Sequence, residues 1–126
     1  MALNVKNLTK RIKNKDLVKN VTFTVEAGTI VGLLGPNGAG KTTTMKAIMG
    51  LTSFQQGDVT IYGKSITTHF EGVIRKIGGI IETPGFYPSL TGNENLIYYA
   101  KLSKCSIHDV KDITTKLGLT QVLKKK

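Results

Sequence analysis

The segment Gly35-Pro36-Asn37-Gly38-Ala39-Gly40-Lys41-Thr42-Thr43 fits the spacing G-x-x-x-x-G-K-[ST] of a phosphate-binding loop. Its glycines let the chain turn tightly and bring backbone N–H groups against phosphate oxygens with no Cβ in the way. Lys41 supplies a point charge for the β- and γ-phosphates, and Thr42 a hydroxyl for Mg²⁺. A helix opening at this point turns its positive end toward the same anion. The competing reading is a glycine-rich turn with no ligand.

The flanks decide between the two. A loop of this kind follows a buried strand and opens a helix. Ahead of it stands Thr29-Ile30-Val31-Gly32-Leu33-Leu34, a short apolar run expected to form a buried parallel strand. Behind it, Met45, Ile48 and Met49 recur at helical spacing, and Gly50 falls where a helix C-terminus takes glycine.

Working outward, residues 2–9 carry Leu3, Val5 and Leu8 in a strand pattern. A polar turn is expected over residues 11–16. Residues 17–25 alternate, with Val21, Phe23 and Val25 on one face and Thr22 and Thr24 on the other. Downstream, residues 58–62 read as another antiparallel strand, residues 66–75 as the place of a short helix, and residues 77–81 as a second buried strand. Glu82-Thr83-Pro84-Gly85-Phe86-Tyr87-Pro88 is a loop by its Pro and Gly content. Thr91 is placed as an N-cap before a helix whose apolar face holds Leu96, Ile97, Tyr99, Ala100 and Leu102. Ser106 and Asp109 have capping-box spacing before a helix striped by Ile107, Val110, Ile113 and Leu117, ended by Gly118.

Composition narrows the function classes. With 126 residues and 40% hydrophobic content the chain is one domain or part of one. No apolar run approaches the roughly 18 residues that a membrane span needs. The start, Met1-Ala2-Leu3-Asn4-Val5-Lys6, lacks the apolar stretch of a signal peptide. The single cysteine, Cys105, cannot form an internal disulfide, which suits the cytosol, and it reads as an ordinary small side chain near a helix end. The formal charge of +10 is spread along the chain apart from Lys124-Lys125-Lys126. Such a spread is a solvated surface. Neither zinc-finger spacing nor an aromatic RNA-binding signature is present, so no specific nucleic-acid partner is expected.

The order of parts resembles the ATP-binding subunit of an ABC transporter. The likeness runs through Leu8-Thr9-Lys10, Asn20-Val21-Thr22-Phe23, the loop with Gly50-Leu51 after it, Gly57-Asp58-Val59-Thr60-Ile61-Tyr62-Gly63, Ser89-Leu90-Thr91 and Glu94-Asn95-Leu96. It covers essentially the whole chain. Ile77-Gly78-Gly79-Ile80-Ile81-Glu82 followed by Pro84-Gly85-Phe86-Tyr87-Pro88 is closest to the group that exports bacitracin and lantibiotic peptides.

That resemblance implies an α/β fold: a P-loop NTPase core with a parallel sheet and helices, plus an antiparallel β subdomain. Residues 1–126 would be the N-terminal portion of one ABC ATP-binding domain, with its helical subdomain beginning near residue 91 and its C-terminal part missing. It implies ATP and Mg²⁺ as ligands and ATP hydrolysis in the parent protein, driving export of a peptide antibiotic or other amphipathic compound. The rival readings are a nucleotide-binding fragment without catalysis and a soluble ABC protein of translation or DNA repair. Nucleotide contacts fall to Gly35, Asn37, Gly38, Ala39, Gly40, Lys41, Thr42 and Thr43, and the catalytic positions to Lys41 and Glu82. Glu82 stands where the family usually has a glutamine that touches Mg²⁺ and relays ATP status to the membrane subunit; with Thr42 it makes the expected metal pair. Its alternative is a solvated loop glutamate. Partners implied are a transmembrane permease, contacting near Glu82, Phe86, Tyr87 and Leu90, and a second ATP-binding subunit set head to tail. The location implied is cytoplasmic, peripheral on the cell membrane through the permease. The three apolar residues could equally pack the loop onto the next helix.

Two departures stand out. Ile12 occupies the position where the family stacks an aromatic ring on adenine. Nothing after Leu119 resembles the family signature, the second acidic strand or the switch histidine, and His69 and His108 stand in other contexts. The expectation is a chain inactive in hydrolysis by itself, with the apolar run at residues 29–34 lacking strand neighbours.

Overall fold

Two strand-patterned stretches open the chain, and they pair. The computed structural model describes residues 1–126 and falls into two units, Met1–Thr83 and Pro84–Lys126. In the first, β1 (Leu3–Ile12) and β2 (Lys15–Val25) form an antiparallel hairpin. The expected turn over residues 11–16 is shorter than its polarity suggests. Arg11 pairs with Asp16 and Ile12 with Lys15 across the ladder, leaving only Lys13 and Asn14 to turn. Arg11 Nε donates to Asp16 Oδ1 at 2.6 Å, and opposite charges facing each other across strands favour the pairing.

The hairpin is irregular where its asparagines lie. Asn7 and Asn20 take left-handed backbone angles, φ 52° and 51°, which asparagine tolerates better than most residues. The amides are still satisfied. Asn7 N–H donates to Thr22 Oγ1 at 2.9 Å, and Asn20 N–H to Thr9 Oγ1 at 3.0 Å.

The strand β3 (Gln56–Ile61) pairs antiparallel with the other edge of β1, and the two-residue β4 (Lys64–Ser65) follows it. The sheet order is β2-β1-β3-β4. On one face lie the helices α1 (Lys41–Ile48) and α2 (Phe70–Ile74). Val5, Leu8 and Val59 are fully buried there with Val18, Ala47, Ile48, Ile61, Ile66 and Val73. Each such Val or Leu side chain is worth about 1.5–3 kcal/mol of burial. In α1 the inward face is Thr44, Ala47 and Ile48, positions i, i+3 and i+4. Met45, one of the apolar residues at helical spacing, is exposed.

The two expected buried strands, the first of them expected to be parallel, are not strands. Residues 29–34 and 77–81 join no sheet. Ile30 and Leu34 are 102% and 92% exposed, and Ile80 is 74% exposed. A parallel strand takes every ladder hydrogen bond from a neighbour and needs both faces covered. The sheet β2-β1-β3-β4 gives them no edge. The fold is thus helices with an antiparallel sheet, and the parallel layer is absent from it.

In the second unit, α3 (Gly92–Leu102) and α4 (Ile107–Lys116) start as the sequence predicts. Thr91 Oγ1 accepts from Glu94 N–H while Glu94 Oε2 accepts from Thr91 N–H at 2.7 Å; Ser106 and Asp109 repeat the arrangement. These boxes satisfy first-turn amides that have no helical partner. The first-turn amides of Gly92 and Asn93 donate to the carbonyls of Lys125 and Leu123. On α3, Ala100 is buried, and Leu102 is exposed. The expected stripe of α4 is less covered than its spacing implies: Ile107, Ile113 and Leu117 are exposed, and Thr114 is the buried residue.

Candidate nucleotide site

Residues 35–40 wrap the N-terminus of α1. Gly40 is its N-cap, left-handed at φ 87°, and no side chain caps the helix. The first turn holds no acidic residue. Its amides are therefore left for an external anion, the arrangement that binds phosphate. Gly40 has a second reason to be glycine. A Cβ there would stand 2.5 Å from the Leu17 carbonyl oxygen and 2.9 Å from Val18 Cγ2. The start of β2 presses directly on the loop.

Lys41 is held by the loop it opens from. Its ammonium donates to the carbonyls of Gly35 at 2.6 Å and Pro36 at 2.8 Å. An ammonium has three donors. Two fix its position, and the third remains for an anion. Ala39 N–H donates to the Pro36 carbonyl at 3.2 Å, and Thr44 Oγ1 to the Gly40 carbonyl at 2.9 Å. Thr44 is thereby committed to the helix, while Thr42 is exposed at its first turn.

A cleft of about 430 Å³ lies at this loop, lined by Lys15, Asp16, Leu17, Asn37, Gly38, Gly40, Lys41, Thr42 and Thr43. Lys15 adds a second cationic side chain. The Asp16 carboxyl is held below its usual range, first by the hydrogen bond from Arg11. It is charged and already paired. Ile12 is 52% exposed and does not line this cleft. Of the β2 residues that do line it, Lys15 and Asp16 read in the sequence as part of a polar turn and Leu17 only as the start of an alternating strand.

Glu82 is brought to α1. Its Oε1 accepts from Lys46 Nζ at 2.8 Å, and its backbone is left-handed at φ 67°. The hydrogen bond from Lys46, then its charge, keeps the Glu82 carboxyl below the ordinary range. Lys46 lies four residues past Thr42, on the same face of the helix. No cluster of three His, Cys, Asp or Glu side chains could hold a metal by itself. Glu82 does not line the cleft that holds Thr42, and it reaches this face of α1 only through Lys46. The Thr42 hydroxyl and the Glu82 carboxylate are hard oxygen donors of the kind that Mg²⁺ takes beside phosphate and water.

In the second unit, Asn95 is a buried residue that composition and spacing did not single out as important. Its Oδ1 accepts from Tyr87 N–H at 2.8 Å, and its Nδ2 donates to the carbonyls of Tyr87, Leu90 and Thr91. Tyr99 Oη donates to the Gly85 carbonyl. Together they fix residues 85–91. Phe86 packs edge-on to Tyr99, and Tyr87 to Tyr98 with ring centroids 5.1 Å apart. Phe86 and Tyr87 stay about half exposed, at 56% and 46%. An apolar hollow of about 310 Å³ beside them is lined in part by Pro88, Leu90, Leu96, Leu119 and Leu123. No helix is long and apolar enough to cross a membrane.

Comparison with known proteins gives the family and the fold. The family model described as ABC transporter matches residues 18–126. An uncharacterized ABC transporter ATP-binding protein of Bacillus subtilis (strain 168) is 40% identical over 119 residues, covering 94% of this chain and 39% of that protein. The bacitracin transport ATP-binding protein BcrA of Bacillus licheniformis is 38% identical over 123 residues, with the same two coverages of 94% and 39%. A solved structure described as the ATP binding subunit of an ABC transporter superposes with a TM-score of 0.84 at 32% identity, covering 99% of this chain and 54% of that one. The chain spans about two fifths of the length of the curated relatives it matches. Membership of this family implies ATP binding, and the match over residues 18–126 shows that the chain belongs to the ABC transporter family.

Proposed function

We propose that residues 35–43 bind the triphosphate of ATP and that the protein is the energy-supplying subunit of an exporter of a peptide antibiotic or other amphipathic compound. The observation that carries the first part is Lys41, fixed by two loop carbonyls beside a helix N-terminus that no side chain caps. Gly38 and Gly40, both left-handed, turn the loop amides inward around an anion. Gly35, Asn37 and Ala39 complete the loop. The free donor of Lys41 meets the terminal phosphates, and the hydroxyls of Thr42 and Thr43 close the first turn around them. Ile12 offers the base an aliphatic contact in place of a ring.

Mg²⁺, when bound, neutralises phosphate charge and polarises the bond to be broken. Thr42 and Glu82 are the side chains that would hold it. Glu82 also orients water at the terminal phosphate. In the second unit, Phe86, Tyr87 and Leu90 supply the surface that receives a membrane permease, since two half-exposed rings on a loop fixed by Asn95 make a stiff apolar contact. A second ATP-binding subunit, set head to tail, completes the hydrolytic site. The export reading rests on likeness to the bacitracin transport protein and to the SkfA peptide export ATP-binding protein of Bacillus subtilis (strain 168), 38% identical over 110 residues.

Lys41→Ala tests the core of this. Loop amides alone leave the terminal phosphate charge poorly compensated, so calorimetry should find no ATP–Mg²⁺ binding by the variant. Equal affinities of variant and parent would overturn it.

A further inference from the structure

Lys46 has no assigned part in the site, yet it makes the one ion pair that reaches Glu82. The pair joins α1 to the loop after residue 81, at 2.8 Å between Nζ and Oε1. Four residues of helix separate Lys46 from Thr42, about 6 Å along the axis and on one face. Glu82 sits on exposed chain with a left-handed backbone, an unusual conformation for a residue with a long side chain. Residues 77–81 before it have no strand partner to fix them. Nothing else in the structure draws the carboxylate to this face of the helix. Only Oε1 is taken up by Lys46, which leaves Oε2 free for a second cation.

We propose that Lys46 is a positioning residue: its ammonium tethers Glu82 to the Thr42 face of α1, so that the free carboxylate oxygen is at hand when the metal arrives with ATP. The inference rests on Glu82 being a metal-holding residue as proposed above. Lys46 itself touches neither nucleotide nor metal. Its effect is one of pre-organisation, since the carboxylate no longer has to be gathered from a loosely held loop.

The experiment is a titration of Mg²⁺ into purified protein with a fluorescent ATP analogue bound, reading the half-saturating Mg²⁺ concentration. A parallel titration of the analogue without Mg²⁺ and a thermal melt accompany it. Lys46→Met should raise the Mg²⁺ midpoint about three- to fivefold, the scale of an exposed ion pair. Metal-free analogue binding and the melting temperature should stay as in the parent. Lys46→Arg should restore the parental midpoint, because a guanidinium keeps the charge-assisted hydrogen bond. Glu82→Ala should raise the midpoint by itself, and adding Lys46→Met to it should change nothing further. A Glu82→Ala effect with none from Lys46→Met overturns the tether and leaves the Glu82 reading standing. A Lys46→Met effect that persists in the Glu82→Ala background overturns it too. No effect from Glu82→Ala overturns both.

Discussion

Residues 29–34 are more uniformly apolar than β1, yet β1 is the buried one. Thr29-Ile30-Val31-Gly32-Leu33-Leu34 has four large aliphatic side chains in six positions, and two of these are almost fully in solvent. β1 mixes Leu3, Val5 and Leu8 with Asn, Lys and Arg, and its Val5 and Leu8 have no exposed surface. The difference lies in partners. β1 has β2 on one edge, reached by a two-residue turn, and β3 on the other, reached only after α1, and both are antiparallel. A run meant for a parallel layer has to be met by strands from elsewhere. Hydrophobicity therefore states that a segment would gain from burial, and only the neighbouring backbone makes that burial possible.

The largest expected effect is a direct test of this contrast. Leu8→Ala should cost about 2–5 kcal/mol in a denaturant titration, because it removes buried methyl groups and leaves a cavity. Leu34→Ser should change stability by no more than about 0.5 kcal/mol, as an exposed substitution does. Amide exchange should show the same order, with β1 protected and Ile30 to Leu34 fast. A Leu34→Ser cost equal to that of Leu8→Ala would mean that residues 29–34 are covered, and the contrast would fail.

A segment without strand partners can still be held if a side chain takes the place of the missing ladder. Residues 87–91 are such a case. Asn95→Ala would leave the Tyr87 amide and the Leu90 carbonyl without a partner, while the Tyr87 and Thr91 carbonyls keep the backbone amides of Leu90 and Asn95. The expected loss is about 1–3 kcal/mol. It should appear as faster exchange at Tyr87, with β1 unaffected. Parental exchange at Tyr87 in the variant would show that the aromatic contacts alone fix the loop.

The smallest effect belongs to elements that satisfy their own ends. Glu94 and Asp109 both have carboxyl groups held below the ordinary range, Glu94 mainly by the Thr91 amide and Asp109 mainly by the Ser106 hydroxyl. A carboxyl lowered in the folded state contributes above its unfolded value, about 4, and that contribution is lost as pH falls through the folded value. The helical circular dichroism of α3 and α4 should weaken slightly as pH falls below about 4, and Glu94→Gln should flatten part of the change. A helical signal constant through that window would show that the boxes contribute nothing measurable.

How much was legible in advance follows from the range of each interaction. Ser106 with Asp109 is a contact three residues apart, so spacing located that helix start. Thr91 reads as an N-cap from the apolar face that follows it, and its box with Glu94 is added by the structure. The glycine and lysine pattern of residues 35–41 located the loop for the same reason: its geometry is made within a few residues. The strand pattern of β1 and β2 was readable, yet their turn was placed too wide. Arg11 and Asp16 look like turn residues in isolation and become a cross-strand pair only once the hairpin closes. Met45 and the stripe of α4 read from periodicity as apolar helix faces, and periodicity leaves open what covers such a face.

The sequence by itself determined the glycine-rich loop that opens α1, the helix caps, the alternation of the hairpin and membership in the ABC transporter family, since all of these are carried by neighbours in the chain or by the wording of a motif. Tertiary structure decided which apolar runs are buried, that Leu17 rather than Ile12 faces the loop, that Asn95 fixes residues 87–91, and that Lys46 meets Glu82 across 36 positions of chain. Each of these needs two segments brought together by the folding of everything between them. Local pattern carries no information about a contact whose partners are chosen by the closing of a sheet or the path of a loop.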